Sequence, residues 1–145
     1  MIKSILTVCI GNICRSPMAA ALIQSHLSDC HVFSAGVDAL VGYPAAEHAQ
    51  YLLSARGLSL QEHRAAQLID AHCRAADLIL VMDNTQKQIV DARYPFARGK
   101  VFRLGNFGKY DIPDPYQKSL DHFRKSLELI ENGVLGWIEP IRKSS

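Results

Sequence analysis

The chain has little of what marks several common function classes. Its formal charge is only +2 across 145 residues, with no basic run, so neither nucleic acid nor an anionic membrane is an expected partner. No apolar stretch approaches the ~20 residues that cross a bilayer, and no membrane insertion is expected. The short run from Ile5 to Ile10 leads into a glycine-containing loop rather than a small-residue cleavage site. The four cysteines, Cys9, Cys14, Cys30 and Cys73, do not space out as a disulfide framework. Nor do they form paired zinc ligands, since His72-Cys73 are adjacent and remote from Cys9 and Cys14. Free thiols in a cytoplasmic protein without metal or cofactor are the expectation. The phosphate-loop patterns Gly-Lys-Ser/Thr and G-x-G-x-x-G are missing too. No repeat, low-complexity segment or linker divides the chain, so residues 1–145 read as one domain.

What is present is concentrated in Val8-Cys9-Ile10-Gly11-Asn12-Ile13-Cys14-Arg15-Ser16-Pro17. An apolar run feeds this loop, and an apolar helical pattern with proline near its start leaves it. A strand, short loop and helix N-terminus point backbone N–H groups and the positive end of the helix dipole at one place, where an anion binds. A thiol set there beside a guanidinium is favoured as thiolate, the form that attacks phosphorus. Arg15 offers a planar fork that matches two phosphate oxygens. Gly11 is expected to supply a positive φ and close approach to a ligand. Ser16 is expected to cap the helix and to donate its hydroxyl to the Cys9 sulfur. Asn12 would pin the loop through its side chain, while Ile10 and Ile13 frame its mouth. Cys14 reads either as a small buried filler or as a partner for a reversible disulfide with Cys9.

A thiolate that cleaves a phosphate ester also needs an acid for the leaving oxygen. Tyr110-Asp111-Ile112-Pro113-Asp114-Pro115-Tyr116 offers one. Prolines on both sides of Asp114 stiffen that segment and hold it out of the helical region. Asp111 is the nearby alternative and lacks the two-sided clamp.

The remaining pattern alternates strands with helices. Ile5–Val8, His31–Ser34, Leu78–Met82 and Lys100–Leu104 read as strands. Pro17–Leu27, Ala45–Arg56, Thr85–Arg93 and Ser119–Ile138 read as helices. This predicts an α/β fold: an open, parallel, twisted sheet with helices on both faces and the phosphate-binding loop after the first strand. Ligands in such sheets sit at the carboxyl ends of the strands. Leu120, Phe123, Leu127, Ile130 and Val134 fall on one stripe of the last helix and are expected in the core. Gly133 and Gly136 are expected to weaken or bend that helix, and Pro140 to end it. Asp70 and Asp83 read as helix caps or turn formers.

These residues resemble the low-molecular-weight protein tyrosine phosphatases, and among them the bacterial branch associated with exopolysaccharide or capsule tyrosine kinases. The likeness runs through Val8 to Pro17, Ser34-Ala35-Gly36, Leu40-Val41-Gly42, Leu78 to Asp83 and Ile112 to Ser119. It implies Cys9 as nucleophile, Arg15 as phosphate clamp, and Asp114 as acid and then base. It implies a phosphate-binding loop from Ile10 through Ser16, with Asn12, Ser16, Ser34 and His63 supporting it. It places Leu40 and Tyr116 on the walls of the substrate cleft. It further implies a phosphotyrosine protein as partner, a bacterial tyrosine autokinase. The chain departs from the family pattern at Ala20, usually glutamate, and in His63-Arg64-Ala65-Ala66-Gln67, where the family usually carries arginine at position 66. Two rival readings share the loop: a thiol-dependent arsenate reductase and a non-catalytic phosphotyrosine-binding module. The first lacks a second redox cysteine in the later half of this chain, and the second has no use for an acid at position 114.

Overall fold

The computed structural model describes residues 1–144. Four strands, β1 (Ser4–Cys9), β2 (His31–Gly36), β3 (Leu78–Val81) and β4 (Val101–Arg103), form one sheet. All neighbours are parallel and the order is β2-β1-β3-β4. Each return from one parallel strand to the next needs a crossover. These are made through α1 (Arg15–His26), α2 (Glu47–Ser54) with α3 (Asp70–Ala75), and α4 (Asn84–Arg93) with a 3₁₀ turn at Pro95–Lys100. The last helix, α5 (Leu120–Arg142), closes the chain.

Because β1 is central, its alternate side chains face two separate cores. Ile5 and Cys9 join α1, α2 and α5 residues such as Ile23, Leu53 and Leu127 in one cluster. Leu6 and Val8 join Cys73 of α3 and Val90 of α4 in the other. Helices therefore cover both faces, as the alternating pattern predicts. Thr7 is the one polar residue in the β1 interior, and its hydroxyl donates to the Ser16 carbonyl at 2.8 Å. That bond ties the strand to the first turn of α1. After β1 the chain goes to β2 on one side, and from β2 it crosses to β3 on the other. The order reverses at β1, so the crevice opens where Cys9 ends the strand.

Four local expectations need correction. Ser16 is not the N-cap: α1 begins at Arg15, Cys14 precedes it, and no side chain caps that end. Gly11 has no positive φ; the left-handed residue of the loop is Asn12, at φ 61°, a conformation that asparagine adopts more readily than most residues with a side chain. Asp70 is the first residue of α3 and pairs with Arg74 at 3.0 Å, while His72 Nδ1 accepts the Ile69 N–H at 3.0 Å. Finally, α5 is unbroken through Gly133, Gly136 and Pro140. A Cβ on Gly133 would lie 2.9 Å from both Cγ and the carbonyl oxygen of Leu104, so that glycine brings the helix against the end of β4. Pro140 is tolerated one turn from the helix end, where buried Ile138 and Ile141 hold the segment in the core. The predicted stripe is as expected: Phe123, Leu127, Ile130 and Val134 are buried and Leu120 packs against them.

Candidate active site

The loop from Ile10 to Cys14 bridges β1 and α1, and its shape is held from behind by Asn12. That side chain is fully buried. Its Oδ1 accepts the Ala66 N–H at 2.9 Å, which fixes the orientation of the amide. Its Nδ2 then donates to Ser34 Oγ at 2.9 Å and to Ser16 Oγ at 2.8 Å. Ser16 Oγ lies 2.9 Å from Cys9 Sγ. With Asn12 already donating to it, the Ser16 hydroxyl keeps its own proton for the sulfur. His63 Nε2 lies 2.6 Å from the Asn12 carbonyl, so Nε2 carries the proton. Burial pushes the His63 imidazole below its ordinary range, against the Asn12 bond that favours the charged form. Asn12, Ser16, Ser34 and His63 thus form one connected set behind the loop.

The segment that follows β2 presses on the loop from the side. Val37 N–H donates to the Cys9 carbonyl and Asp38 N–H to the Ile10 carbonyl, both at 3.0 Å. Leu40 N–H donates to Gly11 at 3.1 Å and Ala46 N–H to Ile13 at 2.9 Å. This seam explains how Leu40, far from the loop in sequence, comes to line it.

Arg15 is 1% exposed, and its guanidinium is divided between two tasks. Nη1 donates to the Ile112 carbonyl at 2.8 Å and to Asp83 Oδ2 at 3.2 Å. Nη2 lies 3.7 Å from Asp114 Oδ2. Nε is buried and has no partner. An orphaned donor on a buried cation is costly unless something else satisfies it. Asp83 also caps α4 by accepting the Gln86 N–H at 2.8 Å. Its reading as a cap was right and incomplete, because the same carboxylate buttresses Arg15.

The segment that carries Asp114 is pinned just before it. Ile112 N–H donates to the Met82 carbonyl at 2.8 Å, and Ser126 Oγ of α5 donates to the Pro113 carbonyl at 2.7 Å. Asp114 Oδ1 accepts the Tyr116 N–H at 3.1 Å, which leaves Oδ2 toward Arg15. Asp111 is occupied elsewhere, by Arg103 at 2.8 Å and the Asn84 N–H at 3.2 Å. Geometry therefore separates the two aspartates that sequence alone left as alternatives.

Cys9, Ile10, Gly11, Ile13, Cys14, Arg15, Asp38, Leu40, Asp114 and Tyr116 line a single cleft of about 190 Å³. Of the residues singled out from sequence, Cys9, Ile10, Gly11, Ile13, Cys14, Arg15, Leu40, Asp114 and Tyr116 lie on this cleft, Asn12, Ser16, Ser34 and His63 lie behind it, and Asp111 does not line it. Asp38 was not singled out, and its signal, two residues past the end of β2, is too weak to find it. All four cysteines are free. Burial pushes the Cys14 thiol up to about 12, helped by the nearby Cys9 and Asp114 and opposed by Arg15. That burial keeps Cys14 a protonated thiol at neutral pH. Ala20, the departure in α1, lines a shallow surface groove with His63 and Arg64, while Ala66 bonds to Asn12 and Gly36 through its backbone.

A parallel α/β sheet with a thiol and a guanidinium in the turn after its central strand, and a carboxyl facing them, defines a cysteine-dependent phosphatase. The chain belongs to the low molecular weight phosphotyrosine protein phosphatase family, whose model matches residues 4–145. It is 51% identical over 142 residues to a probable low molecular weight protein-tyrosine-phosphatase, EpsP, of Ralstonia nicotianae, covering 98% of each chain. Among solved structures, the tyrosine phosphatase AmsI of Erwinia amylovora superposes with a TM-score of 0.93 at 41% identity, over 97% of this chain and 93% of that one. The YwlE arginine phosphatase of Geobacillus stearothermophilus superposes with a TM-score of 0.91 at 35% identity, over 97% and 94%. Among the described residues, no helix is long and apolar enough to cross a membrane.

Proposed function

We propose that the chain hydrolyses protein phosphotyrosine through a cysteinyl-phosphate at Cys9. The observation that carries this reading is the buried Arg15, braced through Nη1 and left with Nε unpaired, lining the same cleft as Cys9 and Asp114. In the first step Cys9 Sγ attacks phosphorus in line, and the bond to the phenolic oxygen breaks. Arg15 Nε and Nη2 hold equatorial oxygens, and the N–H groups of the loop and of the first turn of α1 hold the rest. The Ser16 hydroxyl donates to the sulfur. Asp114 gives its proton to the departing phenol oxygen. In the second step Asp114 takes a proton from water, which attacks phosphorus and releases inorganic phosphate with Cys9 as thiolate. Arg15 and the amides supply the positive charge, so the scheme needs no metal.

The walls favour an aryl leaving group. Ile10, Ile13, Leu40 and Tyr116 give the cleft apolar sides that suit a ring better than an aliphatic ester or a guanidinium. The protein substrate is a bacterial tyrosine autokinase of exopolysaccharide or capsule production, met in the cytoplasm. The likeness to the bacterial branch supports the first part, and the free cleft thiols support a reducing compartment. The test is phosphate release, with reductant and chelator, from peptides carrying phosphotyrosine, phosphoserine or phosphoarginine. Wild type is expected to release phosphate from phosphotyrosine alone, and Cys9→Ser from none. Asp114→Asn is expected to lose about 10²–10⁴-fold in kcat. Faster release from phosphoarginine would overturn the substrate reading while leaving the nucleophile in place.

A further inference from the structure

Asp38 is a charged group of the cleft that the reaction does not use. Its backbone is fixed on two sides. Val37, Asp38 and Leu40 donate to carbonyls of Cys9, Ile10 and Gly11, while Gln67 Nε2 donates to the Val37 carbonyl at 3.0 Å and Gln67 Oε1 accepts the Ala39 N–H at 2.9 Å. The side chain is exposed, yet its carboxylate makes no hydrogen bond or ion pair among the described residues. The neighbouring carboxylates are committed: Asp83 to Arg15 and the α4 cap, Asp111 to Arg103, and Asp114 to Tyr116 with Arg15 close by.

An unpaired negative charge, carried on a fixed backbone at the wall of a cleft that takes a phosphate dianion, opposes binding by simple repulsion. Neither the phosphoryl group nor an aryl ring can offset it. The compensating charge has to arrive elsewhere on the substrate. We infer that Asp38 is a specificity residue that pairs with a lysine or arginine side chain flanking the phosphotyrosine of the protein substrate. The inference rests on the phosphotyrosine reading above. Leu40 and Ile10 beside Asp38 exclude part of the surrounding water, which lifts such a pair toward the upper end of what exposed ion pairs contribute.

The test is kcat/KM for three phosphotyrosine peptides that differ only in the residues flanking the phosphotyrosine: lysine, glutamine or glutamate. Wild type is expected to rank them lysine over glutamine over glutamate, by about three- to fivefold per step at low ionic strength. At about 0.5 M salt the ranking should collapse. In Asp38→Asn it should flatten at both salt concentrations, and hydrolysis of a small aryl phosphate should speed up modestly because a repulsion has gone. That opposite sign is what a merely structural role would not produce. Equal rates on the three peptides in wild type, an unchanged ranking in Asp38→Asn, or a uniform loss on all substrates would each overturn the inference and leave the phosphatase reading standing. No hydrolysis of any peptide would overturn both.

Discussion

Gly36→Ala is a small change predicted to have a large catalytic effect at a residue that never touches substrate. Gly36 ends β2, in register with Cys9. A Cβ built on it collides with the Ile10 carbonyl oxygen, and it also lies 3.0 Å from Asn12 Cβ and 3.1 Å from Asn12 N. All of these are inside the ~3.5 Å at which such atoms rest. Both backbones have to part by roughly 1 Å. Gly36 cannot give way, because its N–H donates to Ala66 at 2.9 Å and its carbonyl accepts from Leu68 at 2.8 Å. Val37 and Asp38 are bonded to Cys9 and Ile10 as well. The movement must then fall on Ile10 and Asn12, which carry the phosphate loop.

Two magnitudes follow. Overpacking of this kind costs about 1–3 kcal/mol, or roughly 2–12 °C in Tm for a chain of this size. A displacement near 1 Å in groups that position a reacting centre costs on the order of 10²-fold in rate. The assay is kcat/KM on an aryl phosphate alongside thermal unfolding, with Gly99→Ala as control. Nothing lies within 4 Å of a Cβ at Gly99 and its φ is not positive, so that variant should match wild type. Wild-type kcat/KM in Gly36→Ala would refute the claim that β2 sets the shape of the loop. A lost Tm with intact kcat/KM would refute the coupling between packing there and catalysis.

Arg15→Lys keeps the charge but removes the fork, leaving no donor in the place of Nε; kcat is expected to fall about 10²–10³-fold, and a loss below tenfold would refute the clamp. Because burial holds the Cys14 thiol near 12, iodoacetamide at neutral pH should alkylate Cys9 before Cys14, read by peptide mass; equal labelling would contradict the asymmetry. Burial also holds His72 and His63 below their ordinary value, so unfolding takes up protons below pH ~6.5. Stability is therefore full above that pH and declines as pH falls toward the folded-state values, seen as a falling urea midpoint. His72→Gln, which can accept the same Ile69 N–H without titrating, should blunt that decline.

The parts of the site that were legible in sequence are those written contiguously. Cys9, Gly11, Asn12, Arg15 and Ser16 fall within eight consecutive residues, and the place of that run between an apolar strand and a helix carries their meaning. Asp114 was legible because two prolines advertise a rigid turn. Misreadings came where local rules met a tertiary demand. Ser16 fits the N-cap grammar, but its hydroxyl is taken by Asn12 and Cys9. Gly11 fits the rule for positive φ, but the anchored amide of Asn12 makes that residue the one that turns. Gly133 and Pro140 fit the rule for helix breakers, yet packing against Leu104 and the burial of Ile141 override it. Asp38, and the contact of Asp83 with Arg15, could not be found from spacing, since each meets the loop only through the sheet order.

That sheet order explains why Arg15 can be both buried and available. A guanidinium with all five donors satisfied inside the protein would be stable and useless as an anion clamp. One with none satisfied would carry the full cost of a buried charge. Here β3 lies beside β1, so Asp83 at the end of β3 and Ile112, held to Met82, reach Nη1 and only Nη1. Nε is left unpaired, in a residue that lines the cleft. A dianion that binds there removes an existing penalty as well as making new bonds, and so it gains more than it would at a fully satisfied arginine. Asp83→Ala should accordingly weaken phosphate binding through loss of orientation even though it removes a negative charge, and inorganic phosphate inhibition measures this directly. Tighter inhibition in that variant would mean that simple charge, rather than the brace on Nη1, governs the clamp.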